Sequence, residues 1–157
     1  MNSIITGVIA GVLGTIAMDS LNYLFAQKGF LVKIDVKMIG RMSAGWINGR
    51  FCYRDPSQMK PVAKEGPLGY VIHYAIGIGL AIPFVLGWEL LVGGPVSPIW
   101  VLVYGVATTA ASVFVVYPSM GLGVFGMRSP EGIRAPLSSL ANHLFFGIGM
   151  AVGVVLT

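Results

Sequence analysis

Four long apolar stretches constrain this chain more than any other feature of its sequence. They cover roughly residues 3–27, 67–92, 98–120 and 136–157. A hydrocarbon core of about 30 Å requires about 20 mainly apolar residues per helix, and each stretch meets that length. Only 10% of the 157 residues are charged and the mean hydropathy is +0.81. The sequence therefore predicts an all-α polytopic membrane protein, residues 1–157 forming one domain of four transmembrane helices.

The distribution of basic residues predicts the orientation in the membrane. All ten Lys and Arg lie in two connecting segments, 28–66 and 121–135. By the positive-inside rule, both segments are cytoplasmic loops and both termini are periplasmic or extracellular. The basic residues are dispersed along these loops without a binding motif around them, so the lipid bilayer is the expected partner and nucleic acid is not.

The first cytoplasmic loop contains its own helical pattern. Apolar residues recur at helical spacing between Ile34 and Ile47, with basic residues on another stripe, which predicts a short helix in the cytoplasmic interface between the first and second spans. The segment from Tyr117 to Met127 is apolar but interrupted by Pro118 and three glycines. Irregular backbone at membrane depth must be buried in protein or face water, so we expect a shallow re-entrant or interfacial segment there.

Glycines are spaced so that one stripe of a helix carries almost no side chain. The first span has this pattern at Gly7, Gly11 and Gly14, and the fourth repeats it at Gly149 and Gly153. Small residues at these spacings allow two membrane helices to approach closely. We interpret them as helix-packing surfaces that also permit a homo-oligomer or a larger membrane complex.

An internal repeat is suggested by the second and fourth spans. Residues 73–82, HYAIGIGLAI, match residues 143–152, HLFFGIGMAV, at five of ten positions, and the two segments begin with the chain's two histidines. This similarity predicts two pseudo-repeated helical hairpins in the same orientation.

Three ionisable side chains lie at a common level within the spans. Asp19, His73 and His143 are each nine positions from the nearest basic residue of a cytoplasmic loop, which is about 13 Å at 1.5 Å per residue. A charged side chain facing lipid costs at least about 2.5 kcal/mol, so these groups should point inward. We predict a buried cluster that binds a ligand or a proton. Polar residues expected around it are Thr109, Ser112, Tyr117, Ser139 and Asn142.

Such a cluster is compatible with several functions, because isolated polar groups in membrane helices also serve simply to hold helices together. The first is a proton-, ion- or small-solute-handling transporter or channel-like subunit, in which a histidine takes or gives a proton. The second is redox or metal binding: His73 and His143 could ligate a haem, with Gly77 and Gly147 leaving room for it, or bind a divalent metal together with Asp19.

The third function is a non-catalytic accessory subunit of a larger membrane complex. No catalytic motif is present, which favours a role other than catalysis. The chain has one cysteine, Cys52, which excludes an intramolecular disulfide and multi-cysteine metal sites.

Three segments carry a resemblance to a known family. They are GTIAMDSLNYL at residues 14–24, YPSMGLGVFG at 117–126 and ANHLFFGIGM at 141–150. At these segments the chain resembles an uncharacterised family of small four-span bacterial inner-membrane proteins, a domain of unknown function. The resemblance implies a bacterial inner (plasma) membrane, and it supplies no activity, ligand or catalytic residue.

Overall fold

The computed structural model describes residues 2–157, and its regular elements are all helical. We label the five main helices α1 to α5. They are α1 (Ser3–Gln27), α2 (Val36–Ile47), α3 (Glu65–Leu91), α4 (Pro98–Ser119) and α5 (Arg134–Val155). Short 3-10 turns lie at Pro56–Gln58 and Val124–Gly126. Helices α1, α3, α4 and α5 are long and apolar enough to cross a membrane, which confirms the predicted four-span, all-α class.

Local sequence explains where several helices begin and where one is distorted. The Asn2 side chain caps α1 by accepting from the Ile4 amide, and Asp35 caps α2 by accepting from Lys37 and Met38. Pro98 occupies the first turn of α4, where its missing N–H costs no hydrogen bond. Further along, α4 widens into a π-helix at Ser112–Val116.

The four spans are arranged around one central helix pair. Helices α1 and α5 pack along each other, α3 packs on α1, and α4 packs on α5. Helix α2 lies on the start of α3. We call the end of the bundle that carries the loops 28–64 and 120–133 the basic end.

Glycines occupy the interfaces of α1 with α3 and of α1 with α5. A Cβ added to Gly11 would lie 2.6 Å from Ile78 Cα, and one added to Gly7 would lie 2.8 Å from Ile82 Cα, both across the α1–α3 interface. Gly14 faces Phe146 on α5, and Gly153 faces the backbone of Ala10.

The predicted packing stripes are therefore real, but they are covered within the chain. Because α1 already lies between α3 and α5, an oligomer or a larger complex would have to form through other faces.

The pseudo-repeat is not confirmed by the packing. A twofold relating α1–α3 to α4–α5 would match the α1–α5 contact with an equal contact between α3 and α4. Instead, α3 and α4 meet mainly near the end opposite the basic end, where Tyr104 OH donates to the Leu80 carbonyl at 2.7 Å. The Tyr104 and Phe84 rings also stack there, with centroids 4.5 Å apart. The two flanking helices thus diverge towards the basic end.

The first loop folds back onto the bundle. The predicted loop helix is present as α2, and its buried residues Ile39 and Met42 face α3 and the loop residue Met59. Arg41 binds Glu65 through two hydrogen bonds, Nε to Oε2 at 2.7 Å and Nη2 to Oε1 at 2.9 Å. These bonds raise the pKa of the Arg41 guanidinium above its usual range. Helix α2 is thereby fixed to α3, and its position in a lipid interface stays a prediction.

The segment after α4 is irregular, as its glycines predicted. Helix continues to Ser119, so the irregular backbone starts three residues later than expected. Gly121, Gly123 and Gly126 then have positive φ angles of 80°, 74° and 67°, a conformation that glycine adopts without strain. A Cβ on Gly121 would meet the backbone of Asp55, so this segment packs directly on the first loop.

We predict that Gly149→Val destabilises the protein whereas Gly79→Val does not. A Cβ on Gly149 would lie 2.7 Å from Ala17 Cβ and 2.8 Å from Gly14 Cα, while one on Gly79 meets nothing within 4 Å. Overpacking of this kind costs about 1–3 kcal/mol or more. Denaturant unfolding in detergent micelles measures the loss. Equal stability of the two variants would contradict the packing of α1 against α5.

Candidate binding cavity

A cavity of about 330 Å³ lies between the spans towards the basic end. This volume falls at the lower end of the range of about 300–1,000 Å³ for small-molecule sites. Helices α3 and α4 form opposite walls, α1 and α5 form the floor, and α2 with the adjoining loops covers the basic end. Polar side chains that reach the cavity from the spans are His73, Thr15, Ser112, Tyr117, Ser138, Ser139, Asn142 and His143.

His73 is held by Asp19 on the neighbouring helix. Its Nε2 lies 3.0 Å from Asp19 Oδ1, and the two side chains are 14% and 24% exposed, so the pair is largely enclosed. The close packing of α1 on α3 at Gly11 and Gly77 brings the two residues together. An Asp19 carboxylate can only accept, so Nε2 carries a proton and Nδ1 is the nitrogen left for another partner.

His143 has a different partner, Thr108 on α4. Its Nδ1 lies 2.8 Å from Thr108 Oγ1, and the same hydroxyl donates to the Gly105 carbonyl at 2.5 Å. His143 Nε2 has no hydrogen-bond partner within residues 2–157, and the atom remains partly exposed. Asp19 and the two histidines therefore do not form one three-membered contact. Both histidines line one cavity, and each is hydrogen-bonded to a different neighbouring helix, His73 to α1 and His143 to α4.

A group of hydroxyls lies one turn away from His143. Ser139 donates to Ser112 Oγ at 2.9 Å, and Tyr117 OH donates to the Ala135 carbonyl at 2.8 Å. Ser112 is the first residue of the π-helix in α4. Such widened turns are frequent at functional sites. Ser112, Tyr117 and Ser139 were all predicted near the cluster, and the structure places them on the cavity wall.

Asn142 joins the cavity to the first loop through a residue that sequence reasoning missed. The amide of Asn22 donates to Asn142 Oδ1 at 3.0 Å and to the Val32 carbonyl at 2.9 Å. Its oxygen accepts from the Ile34 amide at 3.1 Å. The backbone at 32–34 is thus bound into the basic end of the bundle. Asn22 lies three positions after Asp19, so its place on the same helix face was the available signal.

Thr109 was predicted in the cluster, and the structure places it elsewhere. It lines a second depression of about 590 Å³, a shallow groove on the outside of α4 and α5 whose rim includes the highly exposed Met127 and Ile133. Its Oγ1 is enclosed without a partner among the described residues. Adjacent residues of a helix point about 100° apart. Thr108, not Thr109, therefore faces His143, and the first cavity, which is the more enclosed of the two, is the better candidate site.

The surroundings of the two histidines bear on the expected haem or metal ligation. Gly77 faces Thr15 and the Gly11 carbonyl on α1, and Gly147 faces Gly105 on α4. The expected room for a macrocycle beside these glycines is occupied by neighbouring helices. Within residues 2–157, no group of three His, Cys, Asp or Glu side chains is arranged to hold a metal ion. Asp19 and both histidines do not meet as one group, since Asp19 binds His73 while Thr108 binds His143.

Comparison with known proteins identifies a family to which no activity has been assigned. A family described as "Protein of unknown function (DUF2938)" matches residues 8–157. The chain belongs to this family. No curated protein and no solved structure matches it. The recognition of an uncharacterised family at residues 14–24, 117–126 and 141–150 is confirmed, and any function must be argued from the cavity.

We predict that Asn22→Ala loosens the basic end of the bundle. The change removes the partners of the Val32 carbonyl and the Ile34 amide, at a cost of about 1–3 kcal/mol for buried groups left unpaired. Hydrogen–deuterium exchange of peptides spanning 28–36 should become faster. Asn48→Ala is the matched control, because Asn48 is exposed at the end of α2. Unchanged exchange in Asn22→Ala would show that Asn22 does not hold this segment.

Proposed function

We propose that this protein is a small-solute-handling membrane protein, a transporter or channel-like subunit, that binds a small and mainly apolar molecule in the cavity between its spans. The observation that carries the proposal is a cavity of about 330 Å³ with a few polar side chains on its otherwise mainly apolar wall, among them His143, whose Nε2 has no partner within residues 2–157. Ligand sites in proteins have this character: mostly apolar walls with a few placed hydrogen-bonding groups.

The apolar part of the wall supports an organic solute over a bare metal ion. It includes Met18, Met42, Met120 and Phe146. Methionine side chains adapt to ligands of different shape because they are unbranched and flexible. A hard cation would need several oxygen ligands, preferably carboxylates. The carboxylate nearest the cavity from a span, Asp19, is already paired with His73.

Proton exchange is part of the same proposal. His73 lines the cavity and its ring is bound to Asp19, a carboxylate–imidazole pair of the kind used for proton transfer. This feature supports coupling of solute movement to protons over simple storage.

Assembly belongs to the proposal as well, because four spans form a thin wall for a pathway. On the side away from the basic end, the cavity is bounded by the contact of Tyr104 with Leu80 and Phe84. We propose a homo-oligomer or a larger membrane complex. It would form through outward faces such as that of α3, where Ala75 and Gly79 are exposed, since the other glycine stripes are covered.

We also propose the bacterial inner membrane as the location, with the basic end in the cytoplasm and both termini periplasmic or extracellular. The complete confinement of Lys and Arg to the two segments 28–66 and 121–135 supports this orientation.

We expect Ala111→Phe to prevent ligand binding and Ala110→Phe to leave it intact. Ala111 lines the cavity, whereas its neighbour Ala110 is exposed on the outside of α4. A phenyl ring at 111 fills much of the available space. Native mass spectrometry of protein released from lipid nanodiscs should detect a bound small molecule on wild type and Ala110→Phe only. Equal occupancy of the two variants, or a wild type without any bound molecule, would refute the proposal.

The orientation is tested with the single cysteine. Cys52 is exposed in the first loop. A membrane-impermeant maleimide should label it in inverted membrane vesicles and not in intact spheroplasts. A Cys52→Ser variant that carries Asn2→Cys should show the opposite pattern. Labelling of Cys52 in spheroplasts would reverse the proposed orientation.

A further inference from the structure

We propose that the solute is a neutral hydroxyl compound, an alcohol or phenol with an apolar body, and that its hydroxyl donates to His143 Nε2. This inference rests on the proposed function of the cavity and specifies the chemical class of its ligand. It follows from the way Thr108 fixes the proton on the His143 ring.

The first step is the hydrogen count at Thr108. A threonine hydroxyl has one hydrogen and two acceptor lone pairs. That hydrogen is donated to the Gly105 carbonyl, so at His143 Nδ1 the hydroxyl oxygen must accept. Nδ1 therefore carries the ring proton. Neutral His143 then presents Nε2 as a hydrogen-bond acceptor.

The second step is the set of polar groups that line the same space. Ser139 donates its hydrogen to Ser112 Oγ, and both residues lie on the cavity wall with His143. Ser139 and His143 are four residues apart on α5, so their side chains are neighbours, about 5–6 Å apart at Cβ. A ligand hydroxyl placed beside Ser139 can donate to His143 Nε2, whereas an ether or ketone has no hydrogen to donate.

The third step is charge. The charged residues on the cavity wall are Lys33, Asp35 and Glu131, and all three are exposed at the basic end. Between the spans, a carboxylate or phosphate would find no cation, and an ammonium group would find Asp19 already bound to His73. Burying an unpaired charge is far more costly than burying a hydrogen-bonded hydroxyl. A neutral ligand is therefore favoured over an anion or a cation.

The body of the ligand is set by the remaining wall. Ile76 and Leu80 of α3, Val116 of α4 and Phe146 of α5 line the cavity beside Met18. These residues favour an aliphatic or aromatic body. The preferred ligand thus combines one hydroxyl with a compact apolar group.

The test compares two compounds that differ only in the donor, 2-naphthol and 2-methoxynaphthalene. Equilibrium dialysis against nanodiscs containing the protein, with empty nanodiscs of the same lipid subtracted, gives the affinity for each. Wild type should bind 2-naphthol about tenfold more tightly, a difference of about 1.4 kcal/mol. The two variants Thr108→Val and Thr109→Val form a matched pair, because both lose one hydroxyl at adjacent positions and only Thr108 contacts His143.

In Thr108→Val the proton on His143 Nδ1 loses its acceptor, so the alternative ring tautomer becomes available. The preference for 2-naphthol should then fall below about threefold. Thr109→Val should keep the wild-type preference. Thermal unfolding of both variants checks that they are folded. Equal affinity of wild type for the two compounds, or an undiminished preference in Thr108→Val, would overturn this inference and leave the cavity as a solute site. Binding of neither compound above empty nanodiscs would overturn the proposed function and the inference together.

Discussion

Backbone contact at glycines determines how this bundle is built. Because α1 has glycines facing both α3 and α5, it can lie against both helices at once. Gly105 on α4 and Gly147 on α5 face each other and allow those two helices to approach closely. Close van der Waals packing is a main attraction between helices in lipid, because the hydrophobic effect does not drive apolar helices together there. The central α1–α5 pair is therefore closely packed, and α3 and α4 lie on its flanks. The space between those flanks is the cavity.

The second constraint is the absence of hydrogen-bonding partners in hydrocarbon. Polar side chains in the spans must bind one another, and most do: Asp19 with His73, Asn22 with Asn142, and Ser139 with Ser112. His143, which lines the cavity, has no partner for its Nε2 within residues 2–157. A polar atom that can reach open space and has no partner in a membrane protein is a reason to expect a ligand. Packing thus creates the space, and the unpaired atoms define what can occupy it.

Sequence reasoning was most successful where one property decides the structure. Apolar length identified the four spans, and spacing identified the packing glycines. Equal distance from the basic loops placed Asp19 beside His73 correctly. It was less successful where rotation about a helix matters, because counting residues gives depth but not direction. For that reason Thr109 was chosen when Thr108 faces His143.

Other features could not be predicted because they depend on tertiary contacts. The segment 32–34 is bound into the bundle by Asn22 and Ser138, which lie far apart in sequence. The expectation of open space beside Gly77 and Gly147 was wrong for the same reason, because the sequence does not show which helix lies against a glycine. The π-helix at Ser112–Val116 has no signal in residue type that distinguishes it from ordinary helix.

The most direct test of the central claim is a crystal structure of the protein grown from a lipid mesophase without prior removal of bound lipids and metabolites. We predict electron density for a non-protein molecule between α3 and α4, with one polar atom within about 2.7–3.2 Å of His143 Nε2. A structure in which Met42, Met120 and Phe146 have moved together and filled that space would contradict the existence of a ligand site.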